Sequence, residues 1–289
     1  MKKLLTILLF VPFLAFAQEK KDSLWITSGS TTLNFSQVSL TNWAAGGKSS
    51  MSAIGMINYA ANYKKDKLSW DNTFDFRYGF LKEKDVKVRK SDDIIDVSSK
   101  LGIEADGNWY YSGLLNFKSQ FAKGYKYDDN NIPVEVISKF MAPAYLKAGL
   151  GMDYKNDRLS VLLAPVSGKF TFVLDDSLSA QGAFGVEENK NFRAELGATA
   201  KFEYKHDIMK NVTLNTTLDL FSNYLKDPKN VDMDWKVQIN MKVNDYLSAN
   251  LITHMIYDND TKIKDPDTGV SSPGLQFMES FGVGLTFKF

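Results

Sequence analysis

The sequence predicts an all-β chain that closes into an antiparallel transmembrane β-barrel of twelve strands, with ten or fourteen left open as alternatives. Three observations lead there. Hydropathy alternates residue by residue along almost the whole chain, the alternating segments run about 11 to 15 residues, and short and long connections take turns between them. Successive side chains of a strand point to opposite faces, so alternation gives each segment one apolar and one polar face. Soluble strands run about 5 to 6 residues, whereas strands that cross a bilayer at a tilt and continue past it need the longer span.

Composition agrees. The 289 residues are 44% apolar and 24% charged, too apolar for a disordered chain. After residue 17 there is no run of about 18 apolar residues, which a helix needs to cross about 30 Å of hydrocarbon. A mean hydropathy of -0.25 is what lipid-facing and lumen-facing positions average to when they alternate. The absence of cysteine removes disulfides, thiolate zinc sites and cysteine nucleophiles together. The formal charge is +1, and without Lys2 and Lys3 the 35 basic residues become 33 against 34 acidic ones. Such a chain has neither a basic nucleic-acid footprint nor an acidic tail, and no nucleic-acid partner is expected.

Taken in order, the chain opens with Lys2-Lys3, an apolar run over 4–16 and the small-residue pattern Ala15-Phe16-Ala17, which reads as a secretory signal peptide over 1–17. A short periplasmic segment is expected over 18–28, and one barrel domain over 29–289. Strands are expected over 31–38, 51–63, 68–81, 94–106, 109–122, 141–154, 159–173, 192–204, 212–224, 231–243, 246–257 and 276–289. The alternation is clearest where Phe192, Ala194, Leu196, Ala198, Ala200, Phe202 and Tyr204 interleave with Arg193, Glu195, Gly197, Thr199, Lys201 and Glu203. The first strand has few apolar positions, and Pro165 and Gly168 interrupt the seventh.

Connections 64–67, 106–108, 155–158 and 244–245 are tight turns, and 82–93, 123–140, 174–191 and 258–275 are long. That is the pattern of periplasmic turns and extracellular loops. Tyr63, Trp70, Trp109, Tyr154, Tyr204 and Tyr246 lie near the short turns, and Tyr78, Tyr125, Tyr224, Tyr257 and Phe277 near the long loops, as two interfacial girdles would. In the last strand Phe281, Val283, Leu285, Phe287 and Phe289 share one face. Left unpaired, that edge would be an aggregation hazard, and closure against the first strand removes it. A chain ending this way looks like the carboxy-terminal signal by which outer-membrane barrels engage the barrel-assembly machinery.

Several segments resemble an uncharacterised outer-membrane barrel family found mainly in Bacteroidetes and known as a domain of unknown function. They are Asn34-Phe35-Ser36-Gln37-Val38 leading to Asn42-Trp43-Ala44-Ala45-Gly46-Gly47, then Trp70-Asp71-Asn72, Arg89-Lys90-Ser91-Asp92-Asp93, Phe221-Ser222-Asn223-Tyr224 and Ile256-Tyr257-Asp258. The resemblance implies the outer membrane and the fold class, and no activity comes with it.

Inward positions carry both signs of charge: Asp71, Asp75, Arg77, Lys100, Glu104, Lys118, Arg193, Glu195, Lys201, Glu203, Asp232, Asp234 and Lys236, together with Lys147, Asp153 and Asp219. About twelve strands stand between small barrels filled by side chains and the wide channels of about 16 to 18. The charges can pair and fill the interior, or line a narrow aqueous path, and their mixed sign argues against strong ion selectivity. The expected function is therefore a structural or accessory barrel or a gated passage for small solutes, with a constitutive small-solute pore as the alternative. Lipid, and a small solute or an unidentified protein, are the expected partners.

Enzyme readings find little support. Gly46-Gly47-Lys48-Ser49 resembles a phosphate loop, but the earlier glycine it requires falls at Asn42. His206 and His254 are the only histidines, so a multi-histidine metal site is not expected, and no metal or cofactor is. Asp258, Asp260 and Asp265 fail the calcium-loop pattern at Lys262. His254 shares the polar side of its strand with Asn250 and Ser248, the outline of a lipid hydrolase. Same-face neighbours on one strand stand about 6 to 7 Å apart, so a nucleophile would have to come from another strand. Asn42, Trp43, Gly46 and Gly47 form the one loop whose composition specifies a definite turn.

Overall fold

Residues 24–40, 48–84, 86–128, 131–264 and 270–289 are described by the structure, a computed structural model. The signal segment and Asn42, Trp43, Gly46 and Gly47 lie outside them. The strands are β1 (Trp25–Val38), β2 (Ser50–Lys65), β3 (Leu68–Glu83), β4 (Arg89–Asp106), β5 (Trp109–Ser119), β6 (Gly124–Tyr127), β7 (Pro133–Ser138), β8 (Ala144–Lys155), β9 (Leu159–Phe172), β10 (Phe192–Met209), β11 (Val212–Asn223), β12 (Val231–Lys242), β13 (Leu247–Tyr257), β14 (Lys262–Lys264), β15 (Ser271–Pro273) and β16 (Gln276–Lys288). Twelve of them form one closed antiparallel barrel in the order β1-β16-β13-β12-β11-β10-β9-β8-β5-β4-β3-β2. β6–β7 and β14–β15 are small hairpins in the long connections.

The wall turns its apolar face outward. Leu101, Leu115, Leu150, Leu196, Phe281 and Phe287 are exposed there, as an exterior meeting hydrocarbon requires. At the short-turn end Trp25 lies 5.2 Å from Tyr63 and 5.5 Å from Trp70, and Trp109 lies 5.3 Å from Tyr154. At the long-loop end Phe121 meets Phe76 and Tyr78, and Phe192 meets Phe170 and Phe172. There the loop after β9 turns through a short helix, α1 (Asp176–Ala180), capped by Asp175, and Leu178 joins Ala142, Val173 and Val186 in a small apolar cluster.

Two expectations about boundaries need correcting. The barrel begins at Trp25 rather than residue 29, because aromatic cross-strand contacts with β2 carry the strand further. β4 starts at Arg89 rather than residue 94, since Arg89 and Lys90 pair with Leu81 and Phe80 after a shift in register. Closure against the first strand is as expected. β1 and β16 are in register only from Ser30 with Lys288 to Asn34 with Gly284, extended by the reciprocal backbone bonds of Gly29 and Phe289.

Pro165, which seemed to interrupt a strand, sits in a bulge. Between Leu150 and Met152 of β8, and again between Gly197 and Thr199 of β10, one residue faces two of β9. A proline has no ladder N–H to donate, and a bulge is where a central strand tolerates it. The bulge brings backbone so close to Gly151 that a Cβ there would stand 1.9 Å from the Leu163 carbonyl oxygen. Gly151→Ala must therefore force the ladder apart. A loss of about 1–3 kcal/mol is expected in urea unfolding of the detergent-folded barrel, and an unchanged midpoint would contradict this packing.

Candidate functional site

The bulge also decides which side chains enter the lumen. On β9 the inward positions are Leu162 and Ala164 before it and Ser167, Lys169 and Thr171 after it, all buried. The other lumen charges follow simple parity from strands whose alternation is unbroken. Inside a ring of twelve strands their ammonium and carboxylate groups are drawn together across the axis.

The central contacts are chords. Lys118 of β5 donates to Asp234 of β12 at 2.8 Å, five strands around the ring, and stands 3.6 Å from Asp96 of β4. Lys236 of β12 stands 4.0 Å from both Asp75 of β3 and Asp96, and β4 is the strand diametrically opposite. The His254 ring nitrogen Nε2 lies 2.8 Å from the other oxygen of Asp234. Asp75 also accepts from the Asn58 amide at 2.5 Å.

Toward the short-turn end Lys100 of β4 bridges Asp153 of β8 at 2.7 Å and Glu203 of β10 at 3.5 Å, and Glu203 meets Lys201 at 2.8 Å. Lys155 pairs with Asp71. Lys147 of β8 meets Asp219 of β11 at 2.6 Å. Toward the long-loop end Lys169 donates to Asp232 at 2.6 Å and to Asp258 at 2.9 Å. Arg193 binds Glu195 at 2.6 Å and also Asp260, which accepts from Lys226 at 2.7 Å. Arg77 faces Asp92 at 3.5 Å. Glu104 makes no ion pair among the described residues and lies beside a register shift in the ladder with β5.

Asp260 lies in the connection beyond β13. Burial alone would push its carboxyl up, but hydrogen bonds from Lys226 and Arg193 outweigh that and hold it below the usual carboxylate range. Its contribution is thus present above the ordinary aspartate pKa and is lost as pH falls through the depressed one. Asp175, bonded by Lys139 and the Leu178 N–H, is likewise held low.

Some expected residues are not brought together. Ser248 bonds the Thr286 hydroxyl at 2.6 Å and the Asn250 amide at 3.4 Å, while His254 turns to Asp234. The three do not assemble a hydroxyl, an imidazole and an orienting amide. Among the described residues no group of three or more His, Asp or Glu side chains could hold a metal ion. Sequence reasoning missed Asp96, Lys155, Lys169 and the inward turn of Asp258 and Asp260. Parity over 94–106 already placed Asp96 beside Lys100, whereas Lys169 was hidden by the bulge.

Residues 35–125 match a family described as a protein of unknown function (DUF3078). No curated protein matches the chain. Among solved structures it is similar in fold to the translocator domain of the autotransporter NalP from Neisseria meningitidis, at 10% identity and TM-score 0.38, covering 92% of this chain and 88% of that one. An outer-membrane channel from Pseudomonas putida is 12% identical at TM-score 0.39, over 91% and 94% of the two chains. OmpT, an outer-membrane protein of Vibrio cholerae, is 8% identical at TM-score 0.31, over 94% and 100%. At this distance the likeness concerns the outer-membrane barrel fold alone.

If Asp234 anchors both Lys118 and His254, Asp234→Ala leaves two groups without their partner. Both ends of the Lys118 pair keep some exposure to the lumen, so the loss should be about 1–3 kcal/mol, below the ~3–5 of a fully buried pair. Lys118→Met with Asp234→Leu should recover most of it, and a double variant as unstable as the sum of its singles would show that the pair is not coupled.

Proposed function

We propose that this chain is an integral outer-membrane barrel whose axial lumen is closed by its own salt bridges, serving as a gated passage for small solutes or as an accessory barrel rather than as a catalyst. One observation carries the reading. Lys118–Asp234 and Lys236–Asp96 join walls five and six strands apart, so charge that would otherwise line a path spans it. A constitutive pore keeps its wall charges apart with water between them, and mixed pairs across the axis leave no such column.

The short turns then face the periplasm and the long loops the exterior. The signal peptide over 1–17 delivers the chain across the inner membrane, and the strand ending at Phe289 presents its aromatic face to the barrel-assembly machinery. Lipid covers the exterior, and the solute or protein partner meets the long-loop mouth, where Asp258 and Asp260 clamp the β13 connection to Lys169, Arg193 and Lys226. A hydrolase at His254 is the less favoured reading, because no serine or threonine hydroxyl is hydrogen-bonded to its imidazole among the described residues.

Planar-bilayer recording tests this directly. The folded wild-type barrel should be silent or open only in brief steps, and Lys118→Ala with Lys236→Ala should raise the open fraction at least tenfold. A large steady conductance in the wild type would establish the constitutive pore instead.

A further inference from the structure

At the long-loop mouth, the start of β10, the β11–β12 connection and the connection beyond β13 meet around a cavity of about 20 Å³. Every residue lining it is polar: four with carboxylates, three with amides and one with an ammonium group. One water needs about 10–15 Å³, so the space takes a single occupant of water size or smaller.

The charge around this cavity does not balance. Lys169, Arg193 and Lys226 are shared among Glu195, Asp232, Asp258 and Asp260. Asp227 adds a further carboxylate, which accepts from the Asn230 amide at 2.6 Å. Five carboxylates against three cationic groups leave two negative charges over.

The same contacts show which oxygens are left. Asp260 has both of its own occupied, by Arg193 and Lys226, and the Asn223 oxygen accepts from the Leu225 and Lys226 backbone N–H groups. Glu195 accepts from Arg193 at 2.6 Å and from Asn223 at 3.0 Å, both through Oε1. Its Oε2 has no partner, although the residue is only 5% exposed, and a buried carboxylate oxygen left so is costly. Asp232 offers only Oδ2 to Lys169. Asn230 uses its amide nitrogen on Asp227 and keeps its oxygen, and Asn259 Oδ1 has only a long 3.5 Å contact from the Tyr257 hydroxyl. A water there would leave the two charges in place, whereas a divalent cation removes them. Carboxylate and amide oxygens without nitrogen or sulfur suit a hard ion. Mg²⁺ holds its octahedral waters, for which a one-water cavity has no room, while Ca²⁺ accepts amide oxygens in irregular geometry.

We propose that this cavity is a calcium site, in which Glu195 Oε2 and the Asp232 carboxylate hold one Ca²⁺ together with the amide oxygens of Asn230 and Asn259. The bound ion ties β10 and β12 to the connection beyond β13. Its ligands come from three separate stretches of chain, which is why no calcium-loop spacing marks them. With two carboxylates among amide oxygens and three cationic groups nearby, a dissociation constant of about 0.1–1 mM is expected, as in extracellular calcium modules. The site goes beyond the closed axis and does not depend on it.

Calorimetric titration of CaCl₂ into the detergent-folded full chain tests the proposal. Wild type should show one saturable site, with MgCl₂ binding at least tenfold more weakly. Glu195→Gln keeps the shape of the side chain and removes its charge, and should weaken Ca²⁺ at least tenfold. If that variant fails to fold, as judged by heat-modifiable migration, Asn230→Ala outside the ladder should weaken Ca²⁺ at least threefold. No saturable Ca²⁺ binding to folded wild type would mean that the cavity holds water alone, and would overturn the proposal. So would unchanged Ca²⁺ affinity in whichever variant folds, or Mg²⁺ bound as tightly as Ca²⁺. Conductance scores the axial closure separately, so a steadily conducting barrel that still binds Ca²⁺ contradicts only the closed axis.

Discussion

The rest of this barrel depends on one constraint: a charge held in the narrow middle of the lumen must find its opposite inside. Alternation sends every second side chain to the lumen, and the other face of the same strand is committed to hydrocarbon. An ammonium such as Lys118, held in a narrow interior, loses much of its water and regains interaction energy only by meeting a carboxylate. With Asp96 and Asp234 placed on strands far round the ring, that meeting has to happen across the axis. Pairing and closure are then the same event.

The two irregular places in the wall follow from where the regular rule fails. At β9 a proline that cannot donate is absorbed by a bulge, which resets the parity so that Lys169 turns inward and can reach Asp232 and Asp258. At the β1–β16 join the ladder runs from Ser30 with Lys288 to Asn34 with Gly284.

Much of this was legible in the sequence because period two is a local property. The strand at Phe192 and the strand at Val231 could be read residue by residue, and their inward charges fell where parity put them. What local alternation cannot express is distance around the ring. Nothing in the sequence spacing of Lys118 and Asp234, or of Lys236 and Asp96, announces a contact, because it exists only once twelve strands have closed. The bulge hid Lys169 for a related reason: a one-residue insertion inverts every later inward assignment. The early start at Trp25 was hidden by weak alternation in β1, whose outward positions include Thr27, Gly29 and Thr31 and whose order comes from the aromatic rings of β2 and β3.

A barrel wall with its axis bridged by salt links differs from a simple aqueous channel in what it can admit. The central claim is the bridging, and the most direct measurement of it is a solid-state NMR distance in lipid bilayers between the Lys118 ammonium nitrogen and the Asp234 carboxylate carbon. A direct ion pair with Nζ–Oδ2 of 2.8 Å predicts strong dipolar dephasing between the two. No measurable coupling, with the Lys118 ammonium exchanging freely with water, would contradict a lumen closed by its own charges.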